Sequence, residues 1–160
     1  MIRSVRTSDA EAICTIYNHF VNHTVVTFEE EPVTTVEMEN RIKEISMRFP
    51  YIVLELDGAI KGYAYTTDWK TRASYRFSVE TTVYLEPGTE GKGYGFALYS
   101  HLIDLLKQQN IHAVIGGISL PNAASIRLHE KCGFKYLGKF SDVGYKFNNW
   151  VDVGYWELIL

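Results

Sequence analysis

Helical periodicity dominates the first third of the chain. After a short predicted strand at residues 2–6, apolar residues recur every three or four positions as far as residue 20. Ser8 and Glu11 have the spacing of a capping box, which predicts the start of this first helix. Thr34 and Glu37 have the same spacing and predict a second helix, which ends before the next proline. Two helices are therefore expected to follow the first strand.

Strand-like runs follow the two helices. Residues 51–56 and 59–66 are rich in β-branched and aromatic residues, and Asp57-Gly58 between them is a two-residue hairpin signal. A longer run from 75 to 85 predicts a further strand, which leads into a glycine-rich stretch. Residues 96–109 then carry leucines on one face of a predicted helix.

The last third of the chain adds a strand, a helix and two more strands. Residues 113–118 have the composition of a buried strand, and Asn122 is placed to cap a helix that ends at Cys132-Gly133. Two further strands are expected at about 134–139 and 150–160. A hairpin combined with crossover helices predicts an α/β fold, with a mixed central β-sheet flanked by helices.

Composition narrows the classes of function. The 160 residues contain no linker or repeat, so one domain covering residues 1–160 is expected. The net charge of −3 offers no basic surface for nucleic acid. Residues 1–6 lack the start of a signal peptide, no apolar run reaches the ~18 residues of a membrane span, and Cys14 and Cys132 lack disulfide or zinc spacing. These features predict a cytoplasmic protein without a membrane or nucleic-acid partner.

The glycine-rich stretch between the long strand and its helix is the most informative segment. The start of a helix presents unpaired N–H groups and a partial positive charge, and glycines let an anion approach them. A Walker loop is excluded because Gly91-Lys92 is followed by Gly93 rather than Ser or Thr. A dinucleotide fingerprint fits poorly, because the spacing is G-x-G-x-G and several strands precede it. A coenzyme pyrophosphate loop and a glycine turn without a ligand both remain possible.

Gly93-Tyr94-Gly95 matches the second half of the coenzyme A motif of Gcn5-related N-acetyltransferases (GNAT), Gln/Arg-x-x-Gly-x-Gly/Ala. The order of elements resembles the GNAT fold over essentially the whole chain. Four stretches resemble the phosphinothricin and methionine-sulfoximine acetyltransferase branch more closely: Asp68-Trp69, 79–84, 121–129, and 143–146 with 150–154. The resemblance implies an enzyme that transfers acetyl from acetyl-coenzyme A (acetyl-CoA) to the amino group of a small amino-acid-like acceptor, and it implies a homodimer.

The resemblance also implies a set of site residues. The family's catalytic carboxylate matches Glu80, and His129 stands where many relatives carry Tyr. The positions matched to coenzyme contacts are Val83, Tyr84, Leu85, Gly91, Lys92, Gly93, Tyr94, Gly95, Phe96, Asn122 and Ser125. The positions matched to substrate contacts are Lys70, Thr71, Arg72, Thr81 and Thr82. Glu90 departs from the family's usual Gln or Arg, which removes a cation near the phosphates.

The chemistry of these residue types suits acetyl transfer to an amine. A protonated amine must lose its proton before it attacks a thioester, and Glu80, if burial raises its pKa, is a suitable base. His129 could protonate the coenzyme thiolate or assist the base, and a packed histidine is the alternative. The guanidinium of Arg72 suits a carboxylate or phosphinate on the acceptor. The resemblance further suggests that Lys146 reaches the site of a neighbouring subunit.

Other functions stay open. The same fold could acetylate another amine, such as an aminoglycoside, a polyamine or a protein N-terminus. A non-catalytic acyl-CoA sensor would bind the coenzyme without depending on Glu80, and a phosphate-binding module would not bind coenzyme A. No metal is expected, because His19 and His23 are an i, i+4 pair without a third ligand at suitable spacing.

Overall fold

The computed structural model describes all 160 residues as a seven-stranded sheet with four α-helices, which confirms the predicted mixed α/β fold. The strands are β1 (Ile2–Ser4), β2 (Tyr51–Leu56), β3 (Ala59–Asp68), β4 (Ser78–Leu85), β5 (Ala113–Ser119), β6 (Lys135–Lys146) and β7 (Asn149–Ile159). The helices are α1 (Ala10–His23), α2 (Thr35–Ser46), α3 (Tyr94–Gln108) and α4 (Ala123–Lys131).

The strand order is β1-β2-β3-β4-β5-β7-β6, and every neighbouring pair is antiparallel except β4 and β5. These two strands are parallel and pair only between Ser78–Glu80 and Ala113–Ile115. Beyond Glu80, β4 runs on to Leu85 and β5 runs on to Ser119 without pairing to each other. The middle of the sheet therefore contains a wedge-shaped opening that begins at Glu80.

Helices cover the two faces of the sheet. The inward face of α3, including Leu98, Leu102 and Leu106, is fully buried with alternate residues of β2–β5 in one core. The inward face of α1 and α2 forms a second core with the opposite face of the sheet, where Tyr51 and Tyr63 pack. This arrangement follows from the period-two alternation of each strand, which sends neighbouring side chains to opposite faces. No helix combines the length and apolarity that crossing a bilayer requires.

Two of the predicted caps are present. The Thr34 hydroxyl accepts the N–H of Glu37 at 3.2 Å at the start of α2. The Asn122 side chain accepts the N–H of Ser125 at 3.0 Å at the start of α4. Each cap satisfies one N–H that the first turn of a helix leaves without a backbone partner.

Three predictions about element boundaries were wrong. Ser8 does not cap α1, because a short 3₁₀ turn precedes the helix and the Asp9 carboxylate accepts the N–H of Arg6 at 2.7 Å. Strand β4 starts at Ser78 rather than Tyr75, because 73–75 form another 3₁₀ turn. Strand β6 extends seven residues past its expected end, because β6 and β7 pair as a long irregular hairpin up to Lys146.

Candidate active site in the opening between β4 and β5

The opening between β4 and β5 holds a cleft of about 220 Å³. Its lining residues come from the α1 region, β3, β4, β5 and α4: Tyr17, Val26, Thr27, Tyr65, Glu80, Thr81, Thr82, Val83, Tyr84, Gly117, Ile118, Ser119, Asn122, Ser125 and His129. Two larger surface grooves, of about 380 and 560 Å³, lie elsewhere and contain no residue of the predicted site. The chemistry therefore concentrates in the smaller cavity.

Glu80 is the one carboxylate that lines this cleft. It is the last β4 residue paired to β5, so its side chain lies where the two strands begin to separate. The side chain is half-buried and makes no hydrogen bond or ion pair within the protein. Burial raises the pKa of Glu80, and the positive charge of Lys70 counteracts part of that increase. An unpartnered carboxylate with a raised pKa is suited to accepting a proton from a bound molecule.

Gly117 of β5 makes room for this carboxylate. A Cβ at position 117 would lie 3.2 Å from Oε1 of Glu80 and 3.4 Å from the ring of Tyr155 on β7. Burial, followed by the charge of Glu80, raises the pKa of Tyr155. Tyr155 also contacts Trp69, with 5.7 Å between the ring centroids. Glu80 thus lies against a small residue and beside an aromatic wall.

His129 lies on the opposite side of the sheet from Glu80, with 4% of its surface exposed. Its Nδ1 lies 2.8 Å from the carbonyl of Ser125, and its Nε2 lies 3.0 Å from the hydroxyl of Tyr99. The Tyr99 hydroxyl lies 2.6 Å from the Thr81 hydroxyl. Burial lowers the pKa of His129, so the neutral ring donates from Nδ1 to the Ser125 carbonyl and accepts the Tyr99 proton at Nε2.

The Gly116 position makes this histidine packing possible. A Cβ there would lie only 2.4 Å from Nε2 of His129, so the ring occupies the space that a side chain would fill. Gly116 and Gly117 therefore serve opposite faces of β5, one under His129 and one under Glu80. A pair of glycines inside a strand was a visible sequence signal for a close approach of this kind.

The glycine-rich loop ends at an uncapped helix. Gly88, Gly91 and Gly93 have φ values of 84°, 77° and 82°, a left-handed conformation that favours glycine. A Cβ placed on any of these three glycines would have no other atom within 4 Å, apart from those of its neighbours in the chain. No side chain caps the first turn of α3. The backbone N–H groups of Tyr94, Gly95 and Phe96 therefore have no partner within the protein and can bind an anion. Lys92 is exposed beside them.

Several residues predicted to contact the coenzyme or the substrate do not line the cleft. Leu85 and the loop residues 91–96 follow the lined part of β4 without lining the cleft themselves. Lys70, Thr71 and Arg72 are exposed on the β3–β4 connection and do not line it either. Thr81 lines the cleft, but its hydroxyl is bonded to Tyr99.

Sequence reasoning missed part of the lining. The missed residues are Tyr17, Val26, Thr27, Tyr65, Gly117, Ile118 and Ser119. They come from α1, the α1–α2 connection, β3 and β5, so only folding brings them together. No three or more His, Cys, Asp or Glu side chains are grouped to hold a metal ion, and the His19 and His23 rings lie 5.1 Å apart without a third ligand.

Comparison with known proteins identifies the family of this site. The GNAT acetyltransferase domain matches residues 2–154. The chain belongs to the GNAT acetyltransferases. Similar GNAT proteins include the phosphinothricin N-acetyltransferase of Streptomyces viridochromogenes, 37% identical over 98% of this chain and 85% of that protein. The L-methionine sulfoximine/L-methionine sulfone acetyltransferase of Salmonella typhimurium is 38% identical over 99% of this chain and 94% of that protein.

Solved GNAT structures agree with this assignment. A putative acetyltransferase from Salmonella typhimurium, solved with acetyl-CoA, has a TM-score of 0.97 at 37% identity and covers 100% of this chain and 93% of its own. A phosphinothricin acetyltransferase from Sinorhizobium meliloti in complex with acetyl-CoA has a TM-score of 0.96 at 34% identity, with coverage of 100% and 88%. The protein is an N-acetyltransferase with acetyl-CoA as its acetyl donor.

The residues of this GNAT chain fit that donor. The uncapped first turn of α3 and the open glycines 88–93 suit a pyrophosphate. The side of β4 that faces β5 has no strand partner after Glu80, so backbone groups of Thr81–Leu85 are available to an extended ligand with amide groups. Asn122 and Ser125 line the opposite side of the same opening.

Proposed function

We propose that this enzyme acetylates the α-amino group of a small amino acid with a polar side chain, of the phosphinothricin, methionine sulfoximine or methionine sulfone type. The transfer is direct, with Glu80 as general base. The observation that carries the proposal is the single unpartnered carboxylate in the cleft, with its raised pKa. The relatives named after these acceptors cover nearly the whole chain, which supports the choice of acceptor.

Glu80 supplies the proton acceptor that the reaction needs. An α-amino group has a pKa near 8, so most of it is protonated at neutral pH and cannot attack a thioester. A carboxylate with a raised pKa is a stronger base than an ordinary glutamate, and it takes this proton directly or through one water. Because no protein group is bonded to Glu80, its oxygens are free for the amine.

The donor side of the proposed site has two parts. The N–H groups from Gly91 to Phe96 and the charge of Lys92 bind the pyrophosphate, and Asn122 with Ser125 contacts the arm of the coenzyme. Backbone groups of Val83–Leu85, on the unpaired side of β4, hold the thioester and stabilise the charge that develops on its oxygen.

The acceptor side lies between the α1–α2 connection and the β3–β4 connection. Lys70 lies close enough to Glu80 to affect its pKa, so a cation is present at this side of the cleft. Lys70, Thr71 and Arg72 lie in the connection after β3, and the charges of Lys70 and Arg72 suit the carboxylate or phosphinate of the acceptor. The Thr82 side chain, two residues from Glu80, lines the same cavity.

His129 is assigned a supporting role within this proposal. Both of its ring nitrogens are engaged by Ser125 and Tyr99, and burial keeps the ring neutral. Protonation of the coenzyme thiolate by His129 would require one of these bonds to break. We therefore assign His129 a structural role: it links α4 to β4 across the opening through the hydroxyls of Tyr99 and Thr81.

The test measures thiol release from acetyl-CoA with phosphinothricin, methionine sulfoximine and methionine sulfone. We expect acceptor-dependent release by the wild type and a loss of about 10²–10⁴-fold in kcat for Glu80→Gln, the range of general-base catalysis. Glu157→Gln is the matched control, because Glu157 is a half-buried glutamate that does not line the cleft and lies on β7, on the other side of β5 from Glu80.

The other outcomes of this assay separate the alternatives. Release with an aminoglycoside, a polyamine or a peptide N-terminus, but with none of the three amino acids, would replace the acceptor assignment. Tight binding of acetyl-CoA without release to any amine would indicate a sensor. Full activity of Glu80→Gln would rule out Glu80 as the base.

We also propose that two copies of this chain associate through the β6–β7 hairpin. Strand β6 is an edge strand of 12 residues, and such edges are normally covered or charged in stable proteins. Phe140, Tyr145 and Trp150 on this hairpin are 61%, 51% and 64% exposed, a large apolar surface for an isolated monomer. Light scattering should give a dimer mass that falls to the monomer mass in Phe140→Lys/Trp150→Lys; a monomeric wild type would contradict the proposal.

A further inference from the structure

The connection between α1 and α2, residues 24–34, forms one wall of the cleft although it has no helix or strand. Val26 and Thr27 line the cavity, and the Thr27 hydroxyl lies 2.8 Å from the hydroxyl of Tyr17 on α1. Residues of such a connection are usually mobile unless other parts of the protein hold them. The wall therefore depends on what anchors this segment.

Lys146, near the end of β6, is one anchor. Its Nζ donates to the backbone carbonyl of Thr27 at 2.8 Å, across 119 positions of sequence. Only 2% of Lys146 is exposed, and burial lowers its pKa, while Glu29 and Glu30 provide the opposing negative charge. A lysine is rarely buried without a partner, so this amino group is committed to its own chain. That corrects the expectation that Lys146 reaches into a neighbouring subunit.

Gly144, two residues before Lys146, provides a second anchor on the same face of β6. A Cβ at position 144 would lie 2.2 Å from the ring of Phe28, so the ring packs directly on the glycine backbone. The β6–β7 pairing is irregular between Phe140 and Gly144, and such bulges redirect the side chains that follow them. Phe28 and Thr27 are consecutive, so both anchors hold the stretch that lines the cleft.

We propose that Lys146 and Gly144 are positioning residues for acceptor binding: they fasten the α1–α2 connection to the β6–β7 hairpin and so hold Val26 and Thr27 as the acceptor-side wall. The inference rests on the proposed function, because it takes this wall to contact the acceptor. Neither residue lines the cleft, so both act through the segment that they hold. The glycine-rich loop before α3 and the first turn of that helix contribute no residue to this cavity.

The kinetic test compares Lys146→Met with Lys139→Met, both on β6. Lys139 is exposed and pairs with Asp152 on the hairpin, so its replacement controls for the loss of a β6 lysine. Lys146→Met should raise the acceptor KM roughly tenfold, the equivalent of about 1.4 kcal/mol, and leave the acetyl-CoA KM unchanged. Lys139→Met should change neither KM. A general loss of folded enzyme would lower the activity per mole of protein without changing either KM.

A structural readout on the same variants does not require a known acceptor. Hydrogen exchange of residues 25–33 should become about tenfold faster in Lys146→Met and stay unchanged in Lys139→Met. If exchange is faster in Lys146→Met but the wild type acetylates none of the proposed acceptors, the anchoring role of Lys146 would stand and the proposed function would be rejected. Unchanged exchange, or faster exchange with an unchanged acceptor KM, would overturn the inference.

Phe28→Ala keeps the test decisive if Lys146→Met does not fold. Phe28 is 40% exposed, so replacing it with alanine should destabilise the protein less than replacing the buried Lys146. The ring removed is the one that packs on Gly144, and the same rise in acceptor KM is expected. An unchanged KM and unchanged exchange in Phe28→Ala would overturn the role of this second anchor.

Discussion

Gly116 on β5 offers a sharp test of the packing behind the active site. Replacing it with alanine adds one methyl group, which would lie 2.4 Å from Nε2 and 2.5 Å from Cδ2 of His129. The backbone of Gly116 does not have a positive φ, so alanine suits its conformation and the collision alone determines the effect. The ring cannot retreat easily, because it packs on Tyr99 and Phe134 with centroid separations of 5.0 and 5.1 Å.

The expected cost has two parts. Overpacking a core by one methyl group costs about 1–3 kcal/mol, and breaking the His129–Tyr99 hydrogen bond in a buried site costs about 1–3 kcal/mol. Gly116→Ala should therefore lower the free energy of unfolding by about 2–6 kcal/mol. For a chain of 160 residues, that corresponds to a melting temperature lower by roughly 4–24 °C.

Gly117→Ala is the matched control on the adjacent residue. Its methyl group would lie 3.2 Å from the end of the flexible Glu80 side chain, so we expect less than about 1 kcal/mol of destabilisation. Urea unfolding of both variants gives the comparison. Adding His129→Ala should remove most of the cost of Gly116→Ala, because the methyl group then enters the space of the missing ring. Equal stability of the two single variants, or an undiminished cost in the His129→Ala background, would refute this account.

Three further predictions concern a charge, a hydroxyl and a cap. Burial raises the pKa of Glu80 above its ordinary value of 4.5, because the folded protein favours the protonated carboxyl. The stability of the fold is therefore unaffected by this group below pH 4.5, and it falls as the pH rises and the buried group becomes charged. Glu80→Gln should therefore melt at a higher temperature than the wild type at pH 7, with no difference at acid pH; a lower melting temperature at pH 7 would count against the burial effect. Tyr99→Phe should lose about 1–3 kcal/mol of stability in urea because two buried partners lose their bond, whereas the exposed Tyr136→Phe should lose none. Thr34→Ala should cost about 1 kcal/mol and Thr35→Ala nearly nothing, because only Thr34 caps α2; equal losses in urea would contradict the cap.

Features that depend on near neighbours in the chain could be predicted from the sequence. The caps at Thr34 and Asn122 and the left-handed glycines before α3 each depend on contacts within a few residues. The same is true of the Asp57-Gly58 turn, where both residues have positive φ. Family motifs added Glu80, which the structure places at the opening of the sheet. The signal at Ser8 failed, because a 3₁₀ turn forms before α1 and the Asp9 carboxylate accepts the N–H of Arg6 at the start of that turn.

Only the tertiary structure determined the cleft and the state of its groups. Glu80 lies at the opening of the sheet because β4 and β5, which are distant in the chain, stop pairing at that residue. His129 is buried and bonded at Nε2 because α3 brings Tyr99 to its ring, whereas its Nδ1 partner, Ser125, lies one turn earlier on the same helix. The wall containing Thr27 is held by a lysine 119 positions away. Burial and bonding of this kind depend on which distant segments pack together, and the pattern of residues along the chain does not encode that packing locally.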